Sequence, residues 1–246
     1  MMPTVVSLAV LLAAAPPPDS SAAARYPFKV GERFVYDARM GMLKLGEGSI
    51  HVAGMDTVRG EETFRFRFQL EGGNFVFRLK SVLESWTTVR DFKSLRFRND
   101  NTENDRNRIR DYDIYPDSGF FRQRGRDNKE ATPSHPLDDA SFLYFVRTAE
   151  FEVGKSYRFD KYFMNDKNPL LIRVLKKEEM TLPDGRKVVC WVLNPVIDDR
   201  GMFADRADAR LWITDDADRI PVQIRSKMAF GSVTLRLSRI ESANAD

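Results

Sequence analysis

The 246-residue chain contains one cysteine and two histidines, and these scarcities exclude several kinds of chemistry. A lone Cys190 allows no intrachain disulfide, and no cysteine stands near the N-terminus to carry a lipid. Within "VVCWVL" it reads as a small apolar core residue. His51 and His135 cannot form a His/Cys cluster, so neither structural nor catalytic zinc is expected. No apolar run approaches the roughly 20 residues that a membrane-crossing helix needs, so no transmembrane segment is expected. Gly46-Glu47-Gly48 lacks the further glycine and lysine of a phosphate loop. Neither sign of charge dominates, with 39 Lys and Arg against 36 Asp and Glu. Arg and Asp alternate along the chain rather than gathering in one basic stripe, which argues against nucleic acid as a partner.

What is present begins with "MMPTVVSLAVLLAAAPPPDSSAAARY". An apolar stretch from Val5 to Ala15, a Pro and Ser spacer and Ala22-Ala23-Ala24 have the layout of a secretory signal over 1–24. No Lys or Arg precedes the apolar stretch, a departure from the usual layout. The expectation is a periplasmic or secreted protein, soluble after cleavage, with one β-rich domain over 25–246.

Beyond residue 28 the prevailing period is two, with turn residues every eight to twelve positions, as in a chain of antiparallel strands. In "TFRFRFQLEGGNFVFRLKSV", Phe64, Phe66 and Phe68 share one face and Arg65 and Arg67 the other. Gly72-Gly73 predicts a tight hairpin turn, after which Phe75, Phe77 and Leu79 continue the alternation. Further hairpins are predicted at "YPDSGFF", "LPDGRKV" and "MAFGSVTL". "KVVCWVL" at 187–193 does not alternate, which suits a central strand covered on both faces. The wholly polar "NDNTENDRN" at 99–107 reads as an exposed loop. One helix is predicted, over 137–149, where Asp138 or Asp139 follows Pro136 and Phe142, Leu143, Phe145 and Val146 recur at helical spacing.

The chain also repeats itself. "FKVGERFVYD" at 28–37 returns as "FEVGKSYRFD" at 151–160, displaced by 123. Trp86, Thr88 and Lys93 return as Trp212, Thr214 and Arg219, displaced by 126. Two offsets this close suit two related meanders, about 26–130 and 150–242, with a short insertion in one. Recurrence of common turn and strand chemistry is the alternative. The expected fold is mainly antiparallel β, a strongly curved sheet or barrel-like unit of two related meanders with one central helix.

"YPFKVGERFVYDARMGMLKLGEGSI", "PLDDASFLYFVRT", "GKSYRF" and "ADARLWITDDADRIPVQIRSKMAFGSVTLRL" resemble, in order, an exported bacterial family, domain of unknown function 3108 (DUF3108). Its most specific pieces are the Asp-x-x-Ser-x-x-x-Tyr-x-x-Arg helix, here Asp138, Ser141, Tyr144 and Arg147, and the closing hairpin. The resemblance implies a fold and no assigned activity. The closing hairpin alone is also similar to the last strands of LolA/LolB-type lipoprotein carriers, curved sheets that hold acyl chains in a hollow, a likeness of fold only.

The chemistry is thin. His135 lies beside Ser134, Asp138 and Asp139, but neighbours in a Pro-flanked loop have no triad geometry by that fact alone. The aspartates at 198, 199, 205, 208, 215, 216 and 218 lack EF-hand spacing and suit turns better than calcium. No catalytic residue, metal or cofactor is therefore assigned, and the protein is expected to be a non-enzymatic binding protein. The leading expectation is a lipid, acyl chain or other apolar ligand against an aromatic face lined by Phe66, Phe68, Phe77, Trp86, Trp191 and Trp212. Close packing of the same face is the plainer alternative. The other expectation is a structural or protein-interaction module of the cell envelope. It would use an arginine face drawn from Arg65, Arg67, Arg78, Arg96, Arg98, Arg108, Arg110, Arg122 and Arg124, unless these simply pair with acids on neighbouring strands.

Overall fold

Alternating side chains, with a hydrophobic face to bury, build nearly the whole protein as one antiparallel sheet. In the computed structural model, residues 25–73, 78–197, 203–228 and 231–241 are described. The predicted signal segment 1–24 and Phe77 lie outside the described residues. The strands are β1 Arg33–Met40, β2 Leu43–Val58, β3 Glu61–Gly73, β4 Arg78–Thr88, β5 Ser94–Glu103, β6 Arg106–Tyr115, β7 Phe120–Gln123 and β8 Glu130–Ala131. After the helix α1, Asp139–Thr148, come β9 Ser156–Phe159, β10 Leu170–Thr181, β11 Lys187–Val196, β12 Arg210–Thr214, β13 Pro221–Met228 and β14 Gly231–Glu241.

The spatial order runs from β8 back to β1, then from β14 back to β9. Each meander is therefore a ladder of sequential neighbours, and the two meet where β1 pairs with β14, from Arg33 opposite Glu241 to Arg39 opposite Thr234. The far ends also approach each other. Leu137, just after β8, donates its N–H to Lys161 O at 2.6 Å, and Phe163 N–H donates to Leu137 O at 2.9 Å. Phe163, following β9, then packs on Phe97, Tyr112 and Phe121 of the first meander. This contact curls the 14-stranded sheet so that its two ends meet through the segments that follow β8 and β9.

The two repeated turns are built alike. Gly31 N–H donates to Val52 O at 2.8 Å and Gly154 N–H to Val174 O at 2.9 Å, with φ of 85° and 84°. Glu32 N–H donates to Lys29 O, and Lys155 N–H to Glu152 O, both at 3.1 Å. Positive φ is what glycine supplies there without strain.

Two expectations are corrected. Gly72 and Gly73 lie inside β3, not in a turn, paired with Gly46 of β2 and with Leu79 and Arg78 of β4. Glycine is needed because the backbones nearly touch: a Cβ on Gly72 would stand 2.7 Å from Leu45 O. The stretch 99–107 is a hairpin, not a loop, running along β5 and β6 with Asn104 at φ 53° in the turn. Its polar side chains satisfy one another, Asn107 Nδ2 donating to Asp100 Oδ1 and Thr102 Oγ1. The run 187–193 is a central strand, buried from Cys190 onward.

The helix forms where predicted. Asp138 caps it, Oδ1 accepting from Ala140 N–H and Ser141 N–H at 3.0 and 2.9 Å, while Ser141 Oγ accepts from Asp138 N–H. This reciprocal cap satisfies donors that the first turn leaves unpaired. Asp138, Ser141, Tyr144 and Arg147 recur every third residue and are all buried. Asp138 meets Ser85 of β4, Ser141 meets Ser94 of β5, Tyr144 meets Phe66 of β3, and Arg147 reaches Glu32. Phe66 stacks on Tyr144 with ring centroids 3.9 Å apart, and Phe28 closes on both rings.

Candidate functional site

Of the six aromatics expected to line one apolar surface, the five described do not share one. Phe66 and Phe68 point to the helix side of β3, buried at 0% and 6% exposure. Trp86 stands opposite Arg65 and next to Ser85, which is opposite Phe66, so its indole lies on the other face. Trp191 and Trp212 likewise lie on opposite faces, since Trp191 pairs with Ile213. Each tryptophan has a local partner. Trp86 Nε1 donates to Asp56 Oδ2 at 2.9 Å and Trp212 Nε1 to Glu178 Oε2 at 3.3 Å, while Lys177 Nζ sits 4.0 Å above the Trp191 ring.

The face of β3, β4 and β5 turned away from the helix carries a groove of about 660 Å³. Its midline is β4, presenting Lys80, Val82, Glu84 and Trp86. Its walls are Arg65 and Arg67 from β3 and Arg96, Arg98, Asp100 and Thr102 from β5, with Asn107 beyond. Strand register fixes this arrangement: Arg67, Glu84 and Arg98 are directly opposite one another, and so are Arg65, Trp86 and Arg96. Four arginines thus stand at the corners of a rectangle centred on Glu84 and Trp86. Two β-strand spacings, about 10 Å, separate its Arg65–Arg67 edge from its Arg96–Arg98 edge.

Three of the four are held by acids. Arg65 donates from Nε and Nη2 to Glu84 Oε1 at 3.2 and 2.6 Å. Arg96 makes a two-pronged contact with Asp111, at 3.1 and 2.7 Å, and Arg98 reaches Asp100 at 3.1 Å. Arg96 and Arg65 also lie over the Trp86 ring, 4.4 and 5.5 Å from its centroid, so the indole is a covered floor. Arg67 differs. Among the described residues no acid lies within ion-pair distance of it, and its buried Nε has no acceptor. On its other side stands His51, whose pKa is lowered by burial and then by the charges of Arg33 and Arg67. The Trp86 hydrogen bond, followed by that from Thr57 N–H, lowers the pKa of Asp56.

Of the remaining expected arginine face, Arg124 pairs with Asp113 on the groove side, and Arg122 reaches toward Tyr115. Arg108 and Arg110 fall on the opposite face, across from Asn101 and Asn99. Sequence alternation placed Arg65 and Arg67 together but could not reveal which of the arginines lacked an acidic neighbour.

The groups considered for catalysis stand apart. Among the described residues, His135 Nδ1 meets only its exposed neighbour Ser134 Oγ, at 3.1 Å. Asp138 faces the interior instead, accepting from Ser85 Oγ at 2.6 Å. Burial raises its pKa to about 6 despite its hydrogen bonds to Ser141, Ser85 and Ser94. Burial likewise pushes the Cys190 thiol up to about 12. Among the aspartates, Asp205 pairs with Arg173, Asp208 with Arg210 and Lys227, and Asp215 with Lys177, while Asp216 closes a turn. Asp198 and Asp199 lie outside the described residues. Among the described residues, no three His, Cys, Asp or Glu side chains are grouped to hold a metal ion, and no helix is long and apolar enough to cross a membrane.

Comparison with known proteins adds fold and family. A crystal structure from Brucella abortus, a β-barrel-like protein of domain of unknown function DUF1849, superposes with a TM-score of 0.51 at 11% identity. The match covers 87% of this chain and 98% of that one, so what is shared is the fold. No curated protein matches the sequence. The model of the family described as "Protein of unknown function (DUF3108)" matches residues 35–238, and the chain belongs to that family.

Proposed function

We propose that the protein is a non-enzymatic binding module of the cell envelope, exported by its N-terminal segment, that engages an anionic partner through the groove over β4. The observation that carries this reading is the groove itself, where five cationic side chains meet two carboxylates around a floor of Val82 and Trp86. A cleft of about 660 Å³ is in the range of ligand sites, and its polar walls suit a charged partner better than an acyl chain. An apolar ligand seated on Phe66 and Phe68 would first have to displace α1, whose Tyr144 already covers Phe66. The signal-like layout of residues 1–24 supports export, and N-terminal sequencing of the protein from fractionated cells checks it.

A photo-reactive residue placed at Val82 in the groove, with the exposed Val189 as control position, tests the reading in living cells. Adducts specific to position 82, suppressed by Arg65→Glu with Arg67→Glu in a protein that still melts cooperatively, are expected. Equal labelling from both positions, or none from Val82, would overturn it.

A further inference from the structure

We infer that the groove contains a subsite for a phosphate group, held between Arg67 and Arg98 across Glu84. The inference rests on the groove being the binding surface and names the chemistry recognised there. Its starting point is the uneven pairing of the four arginines. Arg65, Arg96 and Arg98 each have a carboxylate, while Arg67 has none among the described residues. Its buried Nε lacks an acceptor, so the cation has been partly withdrawn from water without compensation. Neither side relieves it. His51 has its charged form disfavoured, and Glu84 turns its carboxylate to Arg65, with Oε1 accepting from Nε and Nη2, rather than pairing with Arg67.

Register supplies the second arm. Arg98 stands across Glu84 from Arg67, about 10 Å away by strand spacing, a span that two long guanidinium side chains can close from both sides. Arg98 makes one hydrogen bond, to Asp100 at 3.1 Å, and lies 3.9 Å from Asp111 Oδ2, too far for a second, so its five-donor fork keeps N–H groups for another anion. An oxyanion between them would meet two planar donor forks at once. A carboxylate offers two oxygens confined to one plane, whereas a tetrahedral phosphate group presents oxygens in several directions and can face both forks at once. The remaining groove, running over Val82 toward Lys80 and Thr102, leaves room for the organic part of a phosphoester. The same phosphate chemistry can come from a soluble phosphoester or from a phospholipid headgroup.

Titration calorimetry of the full mature chain with sn-glycerol 3-phosphate, and co-sedimentation with phosphatidylglycerol or phosphatidylcholine vesicles, test the subsite and its source. Saturable binding of glycerol phosphate assigns a soluble ligand, and binding to phosphatidylglycerol vesicles alone assigns a headgroup. In either case Arg67→Gln and Arg98→Gln should each weaken binding about tenfold or more, while Arg108→Gln, on the opposite face, should leave it unchanged. The subsite is overturned if the wild-type protein binds neither glycerol phosphate nor phosphatidylglycerol in preference to phosphatidylcholine. It is also overturned if Arg108→Gln weakens binding as much as Arg67→Gln, since that marks diffuse charge attraction. Adducts at Val82 in cells without binding of either probe would sink the phosphate assignment and leave the envelope-module reading standing.

Discussion

Buried Arg147 and half-buried Glu32 form an ion pair that binds the helix to both meanders. Arg147 Nη1 donates to Glu32 Oε1 at 2.5 Å and Nη2 to Oε2 at 3.2 Å. Nη2 also donates to Pro27 O and to Asp218 O, at 2.7 and 2.9 Å. Pro27 and Glu32 belong to the first repeated turn, Asp218 to the turn before β13, so one guanidinium ties three parts of the chain. Phe28, Phe34 and Tyr144 surround it, their centroids 5.2 to 5.7 Å from its carbon.

Removing one member of such a pair strands the other. Arg147→Ala is expected to destabilise the protein by about 3–5 kcal/mol in urea unfolding. Arg147→Lys should recover little, because a single ammonium cannot reproduce the planar fork shared among Glu32 and two carbonyls. Arg147→Met combined with Glu32→Leu should be more stable than Arg147→Ala, since it leaves no uncompensated charge.

Asp138 predicts an acid-side gain in stability. Burial raises its folded pKa to about 6, above the ordinary 3.8, so the folded state holds the proton more tightly than the unfolded chain. Its contribution to stability is therefore full below pH 3.8 and lost as pH rises through 6. Between pH 7 and pH 5 this carboxyl alone should add about 1 kcal/mol. Asp138→Asn keeps an acceptor for the helix N–H groups and removes the titration. The stability difference between wild type and this variant should accordingly shift by about that amount over the same interval, measured by urea unfolding at each pH. A difference that stays constant with pH would contradict the assignment.

The fold was legible where local pattern and tertiary structure agree. Phe64, Phe66 and Phe68 alternate with Arg65 and Arg67 in sequence and across the sheet, and Asp138 announces the helix it caps. Legibility failed where long-range geometry decides. Gly72-Gly73 resembles a hairpin turn in sequence, yet both serve a close passage of β2 against β3 that only register reveals. Trp86 alternates like a core residue and is 5% exposed, but two arginines cover it on the face opposite Phe66. Arg147 is visible in sequence as the last member of the Asp-x-x-Ser-x-x-x-Tyr-x-x-Arg helix, but nothing local points to Glu32, 115 residues away. The groove is of the same kind: its arginines were visible one by one, its unpaired member was not.

The crossing of β2 and β3 makes Gly46 a sharp probe of that passage. A Cβ at Gly46 would lie 2.0 Å from Glu71 O, a backbone atom that cannot swing aside. Gly46→Ala should therefore cost several kcal/mol, at or beyond the ~1–3 kcal/mol typical of overpacking. Gly41, at φ 58° with nothing within 4 Å of a built Cβ, carries only conformational strain. Gly41→Ala should cost about 1 kcal/mol, and thermal unfolding of the two variants separates clash from strain.

The repeated tryptophan segments end in turns that use the same hydroxyl in the same way. Thr88 Oγ1 donates to Asp91 Oδ1 at 2.6 Å and accepts from Lys93 N–H at 2.9 Å. Thr214 Oγ1 donates to Asp216 Oδ1 at 2.6 Å and accepts from Ile220 N–H at 2.8 Å. Both threonines are essentially buried, so replacing either with valine keeps the shape and leaves a backbone N–H without its acceptor. Each substitution should cost about 1–3 kcal/mol, the penalty for an unsatisfied buried donor. The two sites share no hydrogen-bond partner, so the double variant should lose the sum of the single losses to within about 0.5 kcal/mol. One valine variant that unfolds no more readily than wild type would show that its turn is held by something other than the hydroxyl, and that the two halves differ where their hydrogen bonds look alike.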